Sequence, residues 1–386
     1  MTLTAIHLCA GTDAAKTVLA LHEAGIRTIT INTSTEYRLD RFDFAPNPVP
    51  VAANVYERFR SPAMSAGRFA FCWLGALGGL ALRATGARAA LERACDSAGR
   101  IDFIFAHWGS GIMPEVALLK GLRALADVPV ILNMETFPTA ARDSARQRFE
   151  SLVLRRTAPL VDGLILGTKE MAELVEREAP ALLAKPTLVA PFYFPRSFTA
   201  TSEPPVIPAR PGDDVIFTGW ADLVYSINDV RAQMLELARA GLCVHTSPTP
   251  GLEHANVKIF ERFKPRAFTS GELASFMRRF RASLVTFNTD ASDSSSPRFR
   301  TSLPTRLLFT LAAGVPVLIP RGRLPASERL VAEHGVGLVY SSPEEARDRL
   351  LAPSWADVQR HAYASRERFA FDVPAFLDLV AKATRA

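Results

Sequence analysis

No stretch of this chain is apolar for long enough to cross a bilayer. The most hydrophobic window, Phe69 to Leu82, runs about fourteen residues against the ~20 that a spanning helix needs. It is interrupted by Gly75, Gly78 and Gly79 and bracketed by Arg68 and Arg83. Its length favours a core or groove-lining helix. The alternative is an interfacial anchor, with the apolar face in lipid and the arginines on anionic head groups. Cysteine is scarce: Cys9, Cys72, Cys95 and Cys243 lie far apart with no Cys-x-x-Cys pair. That excludes a disulfide framework and reads as reduced thiols in a cytoplasmic protein, at most peripheral to the inner face of a membrane. The seven histidines show neither His-x-x-x-His nor His-Glu-x-x-His, so no metal site is expected. The start, Met1-Thr2-Leu3-Thr4, lacks the basic head and cleavage site of a signal peptide. With no sustained basic run and no aromatic-basic interleaving, a nucleic-acid partner is not expected. The net charge of +6 fits phosphorylated ligands or an anionic membrane surface instead.

What remains is an ordinary globular composition, 48% hydrophobic and 22% charged over 386 residues, enough for two or three domains of roughly 150 residues each. Apolar runs alternate with helical patterns. Strands are predicted at Ala5–Cys9, Thr28–Asn32, Asp102–Ala106, Pro129–Leu132, Gly163–Leu166 and Thr187–Ala190, and helices at Ala14–Ala24, Pro114–Leu125, Thr139–Thr157 and after the capping Thr168. Residues 196–212, rich in proline, serine and threonine, have a linker's composition. The alternation then restarts, with strands at Val215–Thr218, Cys243–Thr246, Leu284–Phe287 and Val315–Ile319 and helices at Ile227–Ala240, Gly271–Phe280 and Leu303–Ala313. Alternation of this kind implies α/β halves built on mainly parallel sheets. The expected layout is an N-terminal Rossmann-like domain over 1–195, a hinge over 196–212, a second such domain over 213–354, and C-terminal helices over 355–386 that fold back onto the first.

Residues 301–320 are the most informative stretch. Ser302 offers an N-cap hydroxyl, Pro304 suits a first helical turn, and Leu307, Leu308, Leu311 and Ala312 recur at helical spacing. Gly314 closes the helix, and a short β-rich run follows. A helix N-terminus feeding a buried parallel strand is a seat for an anion, and Arg306 adds a positive charge one turn in.

Ser302-Leu303-Pro304-Thr305-Arg306 through Ala312-Ala313-Gly314-Val315-Pro316-Val317 resembles the signature of the nucleotide-sugar domain of GT-B fold glycosyltransferases of the group 1, polysaccharide-assembly type. Gly335-Val336-Gly337-Leu338-Val339 is similar to the strand that follows in that class. Ala106-His107-Trp108-Gly109 and Glu135 match the N-terminal half more loosely. The resemblance implies two doubly wound domains facing across a cleft. It implies a nucleoside-diphosphate sugar as substrate with no further cofactor, and a hydroxyl acceptor such as a lipid-linked glycan or exopolysaccharide precursor. It places donor contacts at Gly219, Phe268, Thr301, Ser302, Leu303, Pro304, Thr305 and Arg306, and acceptor contacts at Gly11, Thr12 and Trp108. The match departs where many relatives carry two glutamates, here Thr301 and Phe309, and where an Arg and Lys pair follows Gly219. Arg298, Arg300 or Arg306 is available to substitute.

For an inverting transfer, Glu135 is the first choice of base, at the carboxyl end of a predicted strand; Asp13 and His107 follow. Each is equally a loop polar group that caps a helix. Trp108 and Trp220 are candidates either for stacking on a sugar or for core packing. Asp290 and Asp293, in a serine-rich loop, read as solvated carboxylates. A nucleotide-sugar epimerase and a non-catalytic binding protein on the same fold are the alternatives.

Overall fold

Strands whose residues are buried on both faces belong to sheets covered by helices on each side. That is the arrangement in the computed structural model, which describes residues 3–9, 13–32, 51–54, 92, 96, 99–108, 119–123, 126–142, 144–199, 212, 214–219, 226–264, 267, 270–289 and 295–385. The chain divides into two units, Met1–Phe192 with Phe371–Ala386, and Tyr193–Ala370.

The first unit holds β1 (Thr4–Cys9), β2 (Arg27–Asn32), β3 (Val51–Asn54), β4 (Phe103–Trp108), β5 (Val130–Met134), β6 (Gly163–Leu166) and β7 (Thr187–Val189). They pair in the order β3-β2-β1-β4-β5-β6-β7, all parallel. Helices α1 (Asp13–Glu23), α2 (Ser144–Thr157) and α3 (Lys169–Glu178) belong to this unit. Thr168 caps α3 as expected, its hydroxyl accepting from the Met171 amide at 3.1 Å. One sheet face packs Ile104, Leu132 and Leu164 against Leu154 of α2 and Met171 and Val175 of α3. The other buries Ala5, Phe103, Phe105, Ile131 and Ile165 with Ala20 and Leu21 of α1.

The second unit repeats the plan with β8 (Val215–Phe217), β9 (Val244–Thr246), β10 (Val257–Ile259), β11 (Ala282–Leu284), β12 (Val317–Pro320) and β13 (Gly337–Tyr340). Their order is β10-β9-β8-β11-β12-β13, again all parallel. Helices α4 (Arg231–Arg239), α5 (Glu272–Met277), α6 (Pro297–Thr301), α7 (Thr305–Ala313), α8 (Pro325–His334), α9 (Pro343–Leu351) and α10 (Trp355–Ser365) accompany them. The last helix, α11 (Val373–Arg385), returns to the first unit, where Phe376, Leu379 and Ala383 join the core under α1. Thus α10 stays with the second unit, which begins at Tyr193, ahead of the proline-rich 196–212 segment.

Each sheet reverses its strand order once, between β1 and β4 in the first unit and between β8 and β11 in the second. Open α/β sheets bind ligands outside the carboxyl ends of their strands at such points.

Two sequence expectations are corrected near the anion seat. The helix predicted from Leu303 with Ser302 as its N-cap starts at Thr305. Ser302 instead closes α6, and Pro304 is the N-cap residue of α7. Pro304 disfavours helical geometry at Leu303 before it, which separates the two helices. The strand predicted at Leu284–Phe287 lies at Ala282–Leu284, so residues 286–289 are freed for the sheet's carboxyl edge. Gly314 ends α7 in the left-handed region, φ 70°, as a helix-closing glycine should.

Candidate active site

In the second unit the site is built around Arg306, the second residue of α7. From Leu307 to Ala313 this helix is wholly buried, so its first turn is held rigidly at the sheet's carboxyl edge. The guanidinium donates from Nη1 to the Thr286 carbonyl at 3.1 Å, and Cζ lies 4.2 Å from the centre of the Phe217 ring. Thr286 follows β11, and Phe217 ends β8, so the charge sits at the point of strand-order reversal. Gly219 makes room for it: a Cβ there would lie 2.2 Å from Nη2. Among the described residues no carboxylate pairs with Arg306, and its Nε is buried without a hydrogen-bond partner. Burial pushes the group down to about 10. A half-buried cation with no counterion among the described residues is a seat for an anionic ligand.

A second guanidinium leans on the same segment. Arg323, in the turn after β12, donates from Nη1 to Thr289 Oγ1 at 3.3 Å. The backbone amides of Arg323 and Leu324 both go to Glu328 Oε1, at 2.8 and 2.9 Å, so the start of α8 is closed by its own carboxylate. Arg323 escaped the sequence analysis; its only signal was the Pro320-Arg321-Gly322-Arg323 turn that follows a buried strand.

Of the other predicted donor residues, Leu303 is buried, Thr305 is half-buried, and Thr301 donates its hydroxyl to the Pro297 carbonyl at 2.9 Å. The Ser302 hydroxyl is buried and, among the described residues, without a partner. Phe309, where the resemblance leads one to expect a glutamate, is buried against Phe198 and Phe194, with ring centres 4.9 and 5.4 Å away. Arg300 is exposed and Arg298 half-buried. Phe268, Trp220, Asp290 and Asp293 lie outside the described residues, as do Gly11, Thr12 and the window Phe69–Leu82. Asp13 opens α1, and its side chain also lies outside the description.

The first unit gathers a buried polar layer beneath α1. The amide of Asn133, on β5, donates to His107 Nδ1 at 3.3 Å and to Glu135 Oε1 at 3.1 Å. The ring proton of His107 is thereby placed on Nε2, which lies 3.1 Å from Thr17 Oγ1. His7 stands alongside, its ring centre 5.3 Å from that of His107. Burial is the main reason its pKa is held well below the usual value, with repulsion from His107 and then His22 adding to it. Glu135 begins the loop after β5 and accepts a 2.7 Å ion pair from Lys16 Nζ of α1. That loop is tied down by Glu150 of α2, whose carboxylate takes the Thr139 amide at 2.6 Å, the Thr139 hydroxyl at 2.5 Å and the Ala140 amide at 3.2 Å.

Trp108 is a correction. It points to the opposite sheet face from His107, packs edge-to-face on Phe137 with ring centres 5.8 Å apart, and is only 5% exposed, so it belongs to the core and offers no stacking platform. Alternation along β4 is the cause: neighbours on a strand face opposite sides. Among the described residues no group of three or more His, Cys, Asp or Glu side chains is arranged to hold a metal ion, and no helix is long and apolar enough to cross a membrane.

Neither a protein-family model nor a curated protein matches the sequence. Solved structures do match in fold. Sucrose-phosphate synthase from Thermosynechococcus elongatus superposes with a TM-score of 0.60 at 12% identity, covering 99% of this chain and 98% of its own. An α,α-trehalose-phosphate synthase (UDP-forming) from Burkholderia vietnamiensis gives 0.57 at 15% identity, with 100% of both chains covered. A putative UDP-N-acetylglucosamine 2-epimerase from Listeria monocytogenes gives 0.51 at 13% identity, covering 99% and 96%. The chain has the GT-B fold of these proteins, two Rossmann-like doubly wound α/β domains. At these identities the likeness is one of fold.

Proposed function

We propose that the protein is a glycosyltransferase that moves a sugar from a nucleoside-diphosphate sugar to a hydroxyl acceptor. One observation carries this: the half-buried Arg306 guanidinium, its Nε buried without a hydrogen-bond partner and with no carboxylate partner among the described residues, at the strand-order reversal of the second sheet. Arg306 and Arg323 take up charge on the departing diphosphate as its bond to the anomeric carbon breaks. Stabilising charge that develops on a leaving group is usually the largest catalytic term. In an inverting transfer the acceptor oxygen bonds to the anomeric carbon, and Glu135 of the first unit receives its proton. His107 and Asn133 order the surroundings of that carboxylate. With two guanidiniums compensating the diphosphate, turnover is expected to be insensitive to EDTA. The acceptor class, a lipid-linked glycan or exopolysaccharide precursor met at an anionic membrane surface, rests on the resemblance of residues 302–317 alone.

The test is a panel of nucleotide sugars, with free nucleotide, isomerised donor and the shift in melting temperature all measured. Nucleotide release that depends on an acceptor supports transfer. An isomerised donor would make the protein an epimerase, and the absence of any shift would make it a binding protein for something else. Arg306→Ala is expected to lower kcat/KM for the donor at least tenfold, or ~1.4 kcal/mol of transition-state stabilisation. An unchanged kcat/KM removes Arg306 from the site.

A further inference from the structure

Lys16 is a charged group among the largest fully buried side chains of the described residues, and it lies on the helix face that covers the first sheet. Local pattern gives no reason for a charge there. Val18, Ala20 and Leu21 are its buried neighbours on α1, and two apolar side chains of matching size would stabilise the fold as well as a buried ion pair does. The ammonium meets Glu135 Oε1 at 2.7 Å and the face of Phe192 at 5.8 Å from the ring centre. Glu135 keeps 12% of its side chain exposed, whereas Lys16 keeps 1%. The pair is therefore sealed on the lysine side and open on the carboxylate side. The Asn133 amide converges on the same Oε1, and Glu150 secures the loop from behind.

We infer that Lys16 is a positioning residue: it holds the Glu135 carboxylate ionised and fixed at the carboxyl edge of the first sheet. The inference rests on Glu135 serving as the proton acceptor proposed above. Lys16 itself touches no substrate and exchanges no proton. Its charge offsets that of a carboxylate which must stay anionic in a largely dehydrated place.

A double-mutant cycle tests this, using acceptor-dependent nucleotide release with the donor found in the panel. Glu135→Gln is expected to lower kcat at least a hundredfold. Lys16→Met is expected to lower kcat at least tenfold with donor KM within twofold of wild type, and Lys16→Arg, which keeps the charge, to recover most of that loss. In the Glu135→Gln background, Lys16→Met should cost nothing more. Should Lys16→Met not fold, Lys16→Gln, which keeps a donor toward Oε1, takes its place with the same expected loss. The inference is overturned if the lysine variants keep wild-type kcat while Glu135→Gln is impaired, if Lys16→Arg is as slow as Lys16→Met, or if the lysine and glutamate losses simply add. An unimpaired Glu135→Gln enzyme would instead overturn the role of Glu135 as base, a separate and recognisable outcome.

Discussion

Arg306 and Gly219 act as one unit, because the guanidinium occupies the volume that any side chain at 219 would need. Gly219→Ala should push Arg306 off the Phe217 ring and away from Thr286. Nucleoside-diphosphate affinity, measured by calorimetry, is expected to fall about tenfold while the melting temperature moves little, because the displaced group is the end of a flexible side chain. Unchanged affinity would mean that the guanidinium is not part of the anion seat. At this scale the sequence announced Arg306 through the helix-start motif around it. It did not announce Arg323, a single arginine in a turn, whose meaning depends on Thr289 lying across from it. Trp108 and His107 are adjacent in sequence, yet only pairing with neighbouring strands decides which of the two joins the polar layer.

Beneath α1, the face of the first sheet changes character along its length. Ala5, Phe105 and Ile131 make an apolar floor, while His7, His107 and Asn133, two residues further along their strands, are polar and buried. This layer carries a pH dependence. His7 has a depressed pKa in the native state, so between the unfolded value near 6.5 and its lower native value the unfolded chain binds the extra proton. Stability of the first unit is therefore expected to fall as pH drops below about 6.5, by up to ~1.4 kcal/mol for each unit of depression. Thermal unfolding at pH 7.5 and 5.5 checks this; His7→Asn should shrink the acid-induced loss, and an equal loss in both proteins would assign it to other groups. The strands themselves were legible as apolar runs, apart from the edge strands β3, β10 and β13. The last was indicated by the resemblance at residues 335–339 alone, and Val-Ala-Ala-Asn in β3 and Val-Lys-Ile in β10 hold too few strongly apolar residues to form a run.

Across the whole chain, each unit owns a core, but the first completes its core with the last helix of the sequence. Phe376 of α11 is fully buried, with ring centres of Phe105 at 5.7 Å and Phe103 at 6.0 Å. Phe376→Ala is expected to destabilise the first unit by about 3–5 kcal/mol. Calorimetry should show its transition moving down while that of the second unit, Tyr193–Ala370, stays in place. A joint shift of both transitions would contradict independent cores.

By itself the sequence determined the strand and helix alternation, the parallel α/β character of both halves, and the special status of residues 302–317, since periodicity, caps and helix-start motifs are local properties. Only the tertiary structure decided that Lys16 meets Glu135 across 119 positions, that Gly219 shelters Arg306, and that Phe309 packs into an aromatic cluster. Those meetings depend on strand order and register, which come from the global packing of sheets and helices and leave no trace in any short window of the chain.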